Sequence, residues 1–177
     1  MIRKMAVLTG LLLAFGVAAH AQDSDKIEAY GGYSFLHISS NGSSINQNGW
    51  ALAGQYKVND WLGAVADFSG DYGSNTNTTF FLFGPQVSWH ARVSPFAHFL
   101  IGGVHVSNSS TLFIEPPVAQ NVTVSSNSFA FGFGGGIDAQ IKGPFYWRIF
   151  QGDYLHSSVF NSGQNNARFS TGIVIKF

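Results

Sequence analysis

The chain of 177 residues contains no cysteine. That absence excludes disulfides, thiolate metal sites and a lipidated cysteine behind a leader peptide. Charge is scarce too: Asp, Glu, Lys and Arg supply 10% of the residues, against about 25% in a soluble domain. Something other than water must therefore cover much of the surface. Long hydrophobic runs are also missing. Beyond the first residues, no apolar stretch approaches the roughly 20 residues that a spanning helix needs, which excludes helical membrane spans. No basic cluster is present, so a nucleic-acid-binding face is excluded. The six histidines include no pair at close spacing with a carboxylate. A metal centre is therefore not expected, and no cofactor is predicted.

What is present begins at the amino terminus. Arg3 and Lys4 precede an apolar stretch from Met5 to Ala18, followed by Ala19-His20-Ala21. A basic start, a short apolar core and an A-x-A site predict a signal peptide over 1–21, cleaved after Ala21. A short segment, 22–26, would then lead into the folded part. Without Arg3 and Lys4, 9 − 2 = 7 basic residues face 9 acidic ones, a mature net charge of −2.

From residue 27 onward the apolar residues are spread by alternation, the side-chain period of a strand. In the last segment Phe169, Thr171, Ile173, Ile175 and Phe177 share one face, and Arg168, Ser170, Gly172 and Lys176 share the other. An outer-membrane barrel closes on its last strand, whose lipid face stays apolar to the end. Eight such segments are predicted, at 27–37, 49–58, 62–72, 79–89, 93–106, 128–140, 145–155 and 164–177. Trp50, Leu52, Phe81, Phe83, Phe129, Phe131 and Phe133 fall on outward faces. Pro85 lies within the fourth segment, where a local irregularity is expected. Tight turns near 59–61, 90–93 and 141–144 alternate with longer Asn-, Ser- and Gly-rich connections at 38–48, 73–78, 107–127 and 156–163. That alternation predicts an all-β, eight-stranded antiparallel up-and-down transmembrane β-barrel over 27–177, with both termini periplasmic. Trp61, Trp89, Tyr146 and Trp147 cluster beside the tight turns, as an interfacial aromatic belt would.

Glu28-Ala29-Tyr30-Gly31-Gly32-Tyr33, Phe83-Gly84-Pro85, Pro95-Phe96-Ala97-His98, Gly134-Gly135-Gly136-Ile137-Asp138, Gln151-Gly152-Asp153-Tyr154 and terminal Phe177 together resemble the OmpA-like eight-stranded outer-membrane barrels. The resemblance is to the stand-alone barrel-domain proteins and covers essentially all of 27–177. It implies a monomer in the outer membrane of a Gram-negative-type bacterium, surrounded by lipid and lipopolysaccharide. Periplasmic chaperones and the barrel-assembly machinery would be its partners during biogenesis. The implied role is structural or surface-interacting, without catalysis.

The inward polar residues Glu28, Lys57, Asp67, Gln86, His98, Asp138, Arg148 and Asp153 are expected to form a hydrogen-bonded, ion-paired filling, because buried charges must be paired. An eight-stranded barrel is just wide enough for its own side chains. A turn centred on Gly143 would set Asp138 opposite Arg148 as a cross-strand pair. Holding that parity would aim Gln151 and Asp153 at lipid, so a β-bulge is predicted near 149–150. The connection 107–127 holds Leu112-Phe113-Ile114 and Val122-Thr123-Val124, β-prone residues that suggest an extended hairpin or an adhesive surface for an extracellular ligand. One catalytic alternative exists. His105-Val106-Ser107-Asn108 looks like the core motif of the outer-membrane lipid A deacylases, with Glu115 as the nearest acid. Because His37-Ile38-Ser39 and His156-Ser157-Ser158 repeat the spacing, the motif is weak here.

Overall fold

The structure is a computed structural model and describes residues 26–40, 43–89, 91–114, 118–159 and 162–177. The expected signal peptide and most of the 22–26 segment lie outside the described residues. The strands are β1 (Ile27–Ser40), β2 (Ser43–Lys57), β3 (Leu62–Tyr72), β4 (Thr76–Ser88), β5 (Val93–Ile114), β6 (Val118–Lys142), β7 (Phe145–Val159) and β8 (Ser162–Lys176). Each pairs antiparallel with the next, and β8 returns to β1 through pairs such as Glu28↔Lys176 and Gly32↔Gly172, closing the barrel. Closure leaves no free sheet edge in the spanning region, as lipid demands. No helix of the described residues is long and apolar enough to cross a membrane.

Side chains alternate between a lipid-facing exterior and a filled interior. Leu52, Phe68, Phe81, Phe83, Phe99, Phe129, Phe133 and Ile173 are exposed on the protein surface, the arrangement an apolar solvent stabilises. Phe131 shares their outward parity but is half-buried, its ring 5.3 Å from that of His156. Trp61, Trp89 and Trp147 stand outward near the tight turns. Tyr146 does not, contrary to the sequence expectation. The parity that turns Arg148 inward also turns Tyr146 inward, where its ring lies 4.2 Å beneath Lys176 Nζ.

The tight turns have local causes. Asn59 Oδ1 accepts hydrogen bonds from the Trp61 and Leu62 amides, at 3.1 and 2.8 Å. Ser94 Oγ donates to the Ala91 carbonyl at 2.8 Å. Gly143 takes a φ of 56°, open to glycine without strain. At Pro85 the pairing with β3 is intact, whereas the ladder to β5 is interrupted between Phe83↔Ile101 and Gln86↔His98 without a change of register. The missing N–H of proline accounts for the gap.

At the opposite end the expected long connections are largely strand. Pairing continues to Ser40↔Ser43, Tyr72↔Asn77, Ile114↔Val118 and Val159↔Ser162. Ser, Asn and Thr dominate these extensions, and the apolar residues among them, such as Ile38, Ile45, Leu112-Phe113-Ile114 and Val122, follow no regular alternation. The β5–β6 hairpin is the longest, with 22 and 25 residues in its strands.

The predicted bulge lies in β7. Asp138 pairs with Arg148 and Ile137 with Phe150, leaving Ile149 without a partner on β6. On the other side the ladder steps from Arg148↔Gly172 to Gln151↔Ser170. Ile149 and Phe150 both face outward. Thr171 Oγ1 donates to the Arg148 carbonyl at 2.8 Å, satisfying the backbone group that the bulge displaces.

Candidate functional site

The interior has two zones. The half nearest the tight turns is polar and ion-paired, and the half nearest the hairpins holds an apolar cluster with buried Gln47, Asp71, Thr78 and Asn166 beside it. The polar zone is built around Arg168, which is fully buried. Its Nη1 donates to Asp67 Oδ1 at 2.7 Å and Ser69 Oγ at 2.9 Å, and its Nε and Nη2 donate to Asp153 Oδ2 at 2.9 and 2.7 Å. Asp153 also accepts from Gln151 Nε2 and from His98 Nε2, both at 2.8 Å. The other His98 nitrogen faces Gln86 Oε1 at 3.4 Å, and Gln86 Nε2 donates to Gln55 Oε1 at 2.6 Å.

Arg148 continues the chain toward the tight turns. It donates from Nε and Nη2 to the two Asp138 oxygens at 2.8 and 3.1 Å, and from Nη1 to Gln151 Oε1 at 2.7 Å. Its guanidinium is held between the Tyr30 and Phe96 rings, 4.3 and 4.2 Å from their centroids, where cation–π attraction adds to the ion pair. Below it, Glu28 Oε1 meets Lys57 Nζ at 2.8 Å and Lys176 Nζ at 3.2 Å. Gly134 faces this network from β6, where a Cβ would overlap Asp153 Oδ1. The glycine-rich face of β6 is thus the space that the β7 carboxylate fills.

All eight polar residues nominated from the sequence are inside and are brought into these two connected groups. Arg168, Gln151, Gln55, Ser69 and Lys176 belong with them and were not nominated. The available signal for Arg168 was its parity, opposite to Phe169 and Ile173. The apolar zone was not anticipated either. Leu36, Phe80, Leu82, Leu100, Val104 and Leu155 pack together there. A cavity of about 10 Å³ beside Glu28, Tyr30, Gln86 and Arg148 has room for about one water. Among the described residues no group of acidic and histidine side chains is able to hold a metal.

The hairpin end carries different chemistry on its outside. Tyr33, Trp50, Tyr72 and Tyr154 form a second exposed aromatic band, which the sequence reading did not identify. Tyr33 bonds to Asn48, Trp50 Nε1 donates to Tyr72 Oη at 3.3 Å, and Tyr154 Oη donates to Asn165 Oδ1 at 2.8 Å. His105, between inward Val104 and Val106, points outward and donates from Nδ1 to Asn127 Oδ1 at 2.6 Å. Among the described residues no hydrogen bond joins it to Ser107. Glu115, the expected acid of a triad, lies outside the described residues. His37 and His156 repeat the arrangement with Asn46 and Asn165, at 2.6 and 2.9 Å.

A family profile described as outer membrane protein beta-barrel domain matches residues 7–177. No curated protein matches the chain. Among solved structures the fold is similar to Ail, the attachment invasion locus protein of Yersinia pestis. The TM-score is 0.63 at 17% identity, covering 85% of this chain and 98% of that one. Ail has also been solved with the heparin analogue sucrose octasulfate. Neisserial surface protein A is similar with a TM-score of 0.66 at 14% identity, over 87% of this chain and 98% of its own. OprG of Pseudomonas aeruginosa follows with a TM-score of 0.51 at 9% identity, over 86% and 95%.

Proposed function

From the premise that the chain belongs to the outer membrane protein beta-barrel domain family, we propose that it is a surface-interaction barrel whose contact element is the β5–β6 hairpin. The observation that carries this reading is the unbroken ladder from Ser107↔Ser125 to Ile114↔Val118. Pairing between β4 and β5 ends at Thr76↔Asn108, and that between β6 and β7 begins at Ala130↔Ser157. Beyond those points the Ser109 amide still donates to the Asn75 carbonyl at 2.8 Å, and past it neither edge of the hairpin is paired among the described residues. Such edges are templates for an added strand. In this reading the hairpins face the exterior and both termini face the periplasm, since short turns belong to the periplasmic side of such barrels.

The partner class follows from composition. Residues 107–127 contain one acidic residue and no Lys or Arg, so a sulfated polyanion of the kind solved with Ail has no counter-charge here. An extended peptide segment of an extracellular protein, paired along Val122-Thr123-Val124, suits an uncharged strand edge. The attachment role in Ail's name supports the same direction. Catalysis is not favoured, because the His105 arrangement recurs at two other hairpins and so marks no single site.

Displaying the protein on a non-adherent bacterial host and measuring attachment to protein-coated surfaces tests the proposal. Removing 109–125 should abolish attachment while the barrel keeps its heat-dependent gel mobility. Val124→Lys, at a half-exposed edge position, should weaken it. Attachment undiminished by the deletion, or labelling of the 115–117 tip only in lysed cells, would refute it.

A further inference from the structure

Three outward histidines occupy equivalent places at the hairpin end, on three separate strand pairs. His37 lies opposite Asn46, His105 opposite Asn127, and His156 opposite Asn165. In each pair Nδ1 donates to the asparagine Oδ1, which fixes the ring and leaves Nε2 without a partner among the described residues. Two of the pairs lie immediately beyond the Tyr33–Trp50–Tyr72–Tyr154 band: His37 follows Tyr33 along β1, and His156 follows Tyr154 along β7. Aromatic bands sit at lipid headgroup level, so the imidazoles lie beside the lipid phosphates.

The distribution of fixed charge sharpens the point. The exposed cations Lys26, Arg92 and Lys142 all belong to the opposite, tight-turn end, and the other described Lys and Arg side chains are buried inside. Among the described residues nothing else outward at the hairpin end can become a cation. The residues facing the three rings are Asn46 and Ala167 for His37, Thr79 and Asn127 for His105, and Phe131 and Asn165 for His156. Tyr154 shares Asn165 with His156, and no carboxylate stands among these facing residues.

We propose that these three His–Asn pairs form a collar that binds the phosphate groups of surrounding anionic lipids and engages on acidification. An imidazole ordinarily gains its second proton near pH 6.5. Protonation turns each Nε2 into a donor and gives the neutral rim up to three positive charges. A charge-assisted bond to a phosphate oxygen then anchors the rim at the headgroups. The headgroup placement of the collar rests on the membrane embedding above. Symmetric bilayers separate its test from the orientation argued there.

The full-length mature protein is reconstituted in nanodiscs of phosphatidylcholine with a minority of phosphatidic acid. Lipid retained after release is counted by native mass spectrometry at about pH 5.5 and about pH 8. Phosphatidic acid should be retained several-fold more at the lower pH. The combined variant His37→Gln, His105→Gln, His156→Gln should lose that difference while keeping its folded gel mobility. If the combined variant does not fold, each single Gln variant should remove part of the difference. Equal retention at both pH values, or the same difference in the Gln variants, would overturn the collar. Loss of the bound lipid on adding inorganic phosphate would identify the ligand as a free anion and overturn the lipid assignment.

Discussion

Arg168 donates four hydrogen bonds to Asp67, Ser69 and Asp153 while fully buried. Its planar fork is what allows one side chain to serve two carboxylates on different strands. Arg168→Ala should cost about 3–5 kcal/mol of barrel stability, since breaking a buried pair strands a charge. Arg168→Lys should recover only part of that loss, because an ammonium cannot reproduce the fork. Urea titration of refolded protein, followed by tryptophan fluorescence, measures both. Arg148→Ala should fall in the same range of about 3–5 kcal/mol, with Asp138 as the uncompensated partner. A stability change of either alanine variant within the scatter of a surface substitution would show that water or a neighbouring side chain compensates the carboxylates.

At the scale of the strand, the bulge in β7 reconciles two demands. Arg148 must face Asp138, and Asp153 must face Arg168, yet 148 and 153 differ in parity. The extra residue at Ile149–Phe150 absorbs the mismatch. Deleting Ile149 therefore leaves Phe150 outward and Gln151 and Asp153 inward, and brings both neighbouring ladders into continuous register. The deletion should retain the folded gel mobility. Inserting an alanine between Gln151 and Gly152 turns Asp153 to lipid and should abolish folding. The reverse pattern would sink the argument. The same parity reasoning explains what was legible in the sequence. Alternating faces over 62–72 located β3 to the residue, and the clash between Arg148 and Asp153 located the bulge. Tyr146 was misplaced because its nearness to a turn was weighed above its parity. The extension over 107–127 was suggested by its β-prone Leu112-Phe113-Ile114 and Val122-Thr123-Val124, whereas the other hairpin extensions were missed because their serines and asparagines carry no apolar period. The apolar plug was hidden where strands are apolar on both faces, as at Phe80-Phe81-Leu82-Phe83 and Phe99-Leu100-Ile101. Arg168, so far from Asp67 in sequence, could be assigned a face but not a partner.

For the whole molecule, the two aromatic bands define the slab that lipid must cover. Trp61, Trp89 and Trp147 mark one boundary, and Tyr33, Trp50, Tyr72 and Tyr154 the other. Phe83 lies midway along β4 between Trp89 and Asn77, the partner of Tyr72. Phe131 instead pairs with His156, beyond the Phe133↔Tyr154 pair that belongs to the second band. Two phenylalanines on the same outward face therefore stand at different depths. An arginine on the lipid face costs about 2–4 kcal/mol at the midplane and about 0–1 kcal/mol near an interface. Phe83→Arg should accordingly destabilise the barrel by about 2–4 kcal/mol and Phe131→Arg by about 0–1 kcal/mol, read from unfolding titrations in phospholipid vesicles. In water or a small-headed detergent the difference should shrink, because neither site then faces a thick hydrocarbon layer. Equal costs at the two positions in vesicles would mean that the bands do not bound the membrane. A larger cost at Phe131 would place the hydrocarbon centre near the hairpins, and with it the histidine pairs inside the lipid.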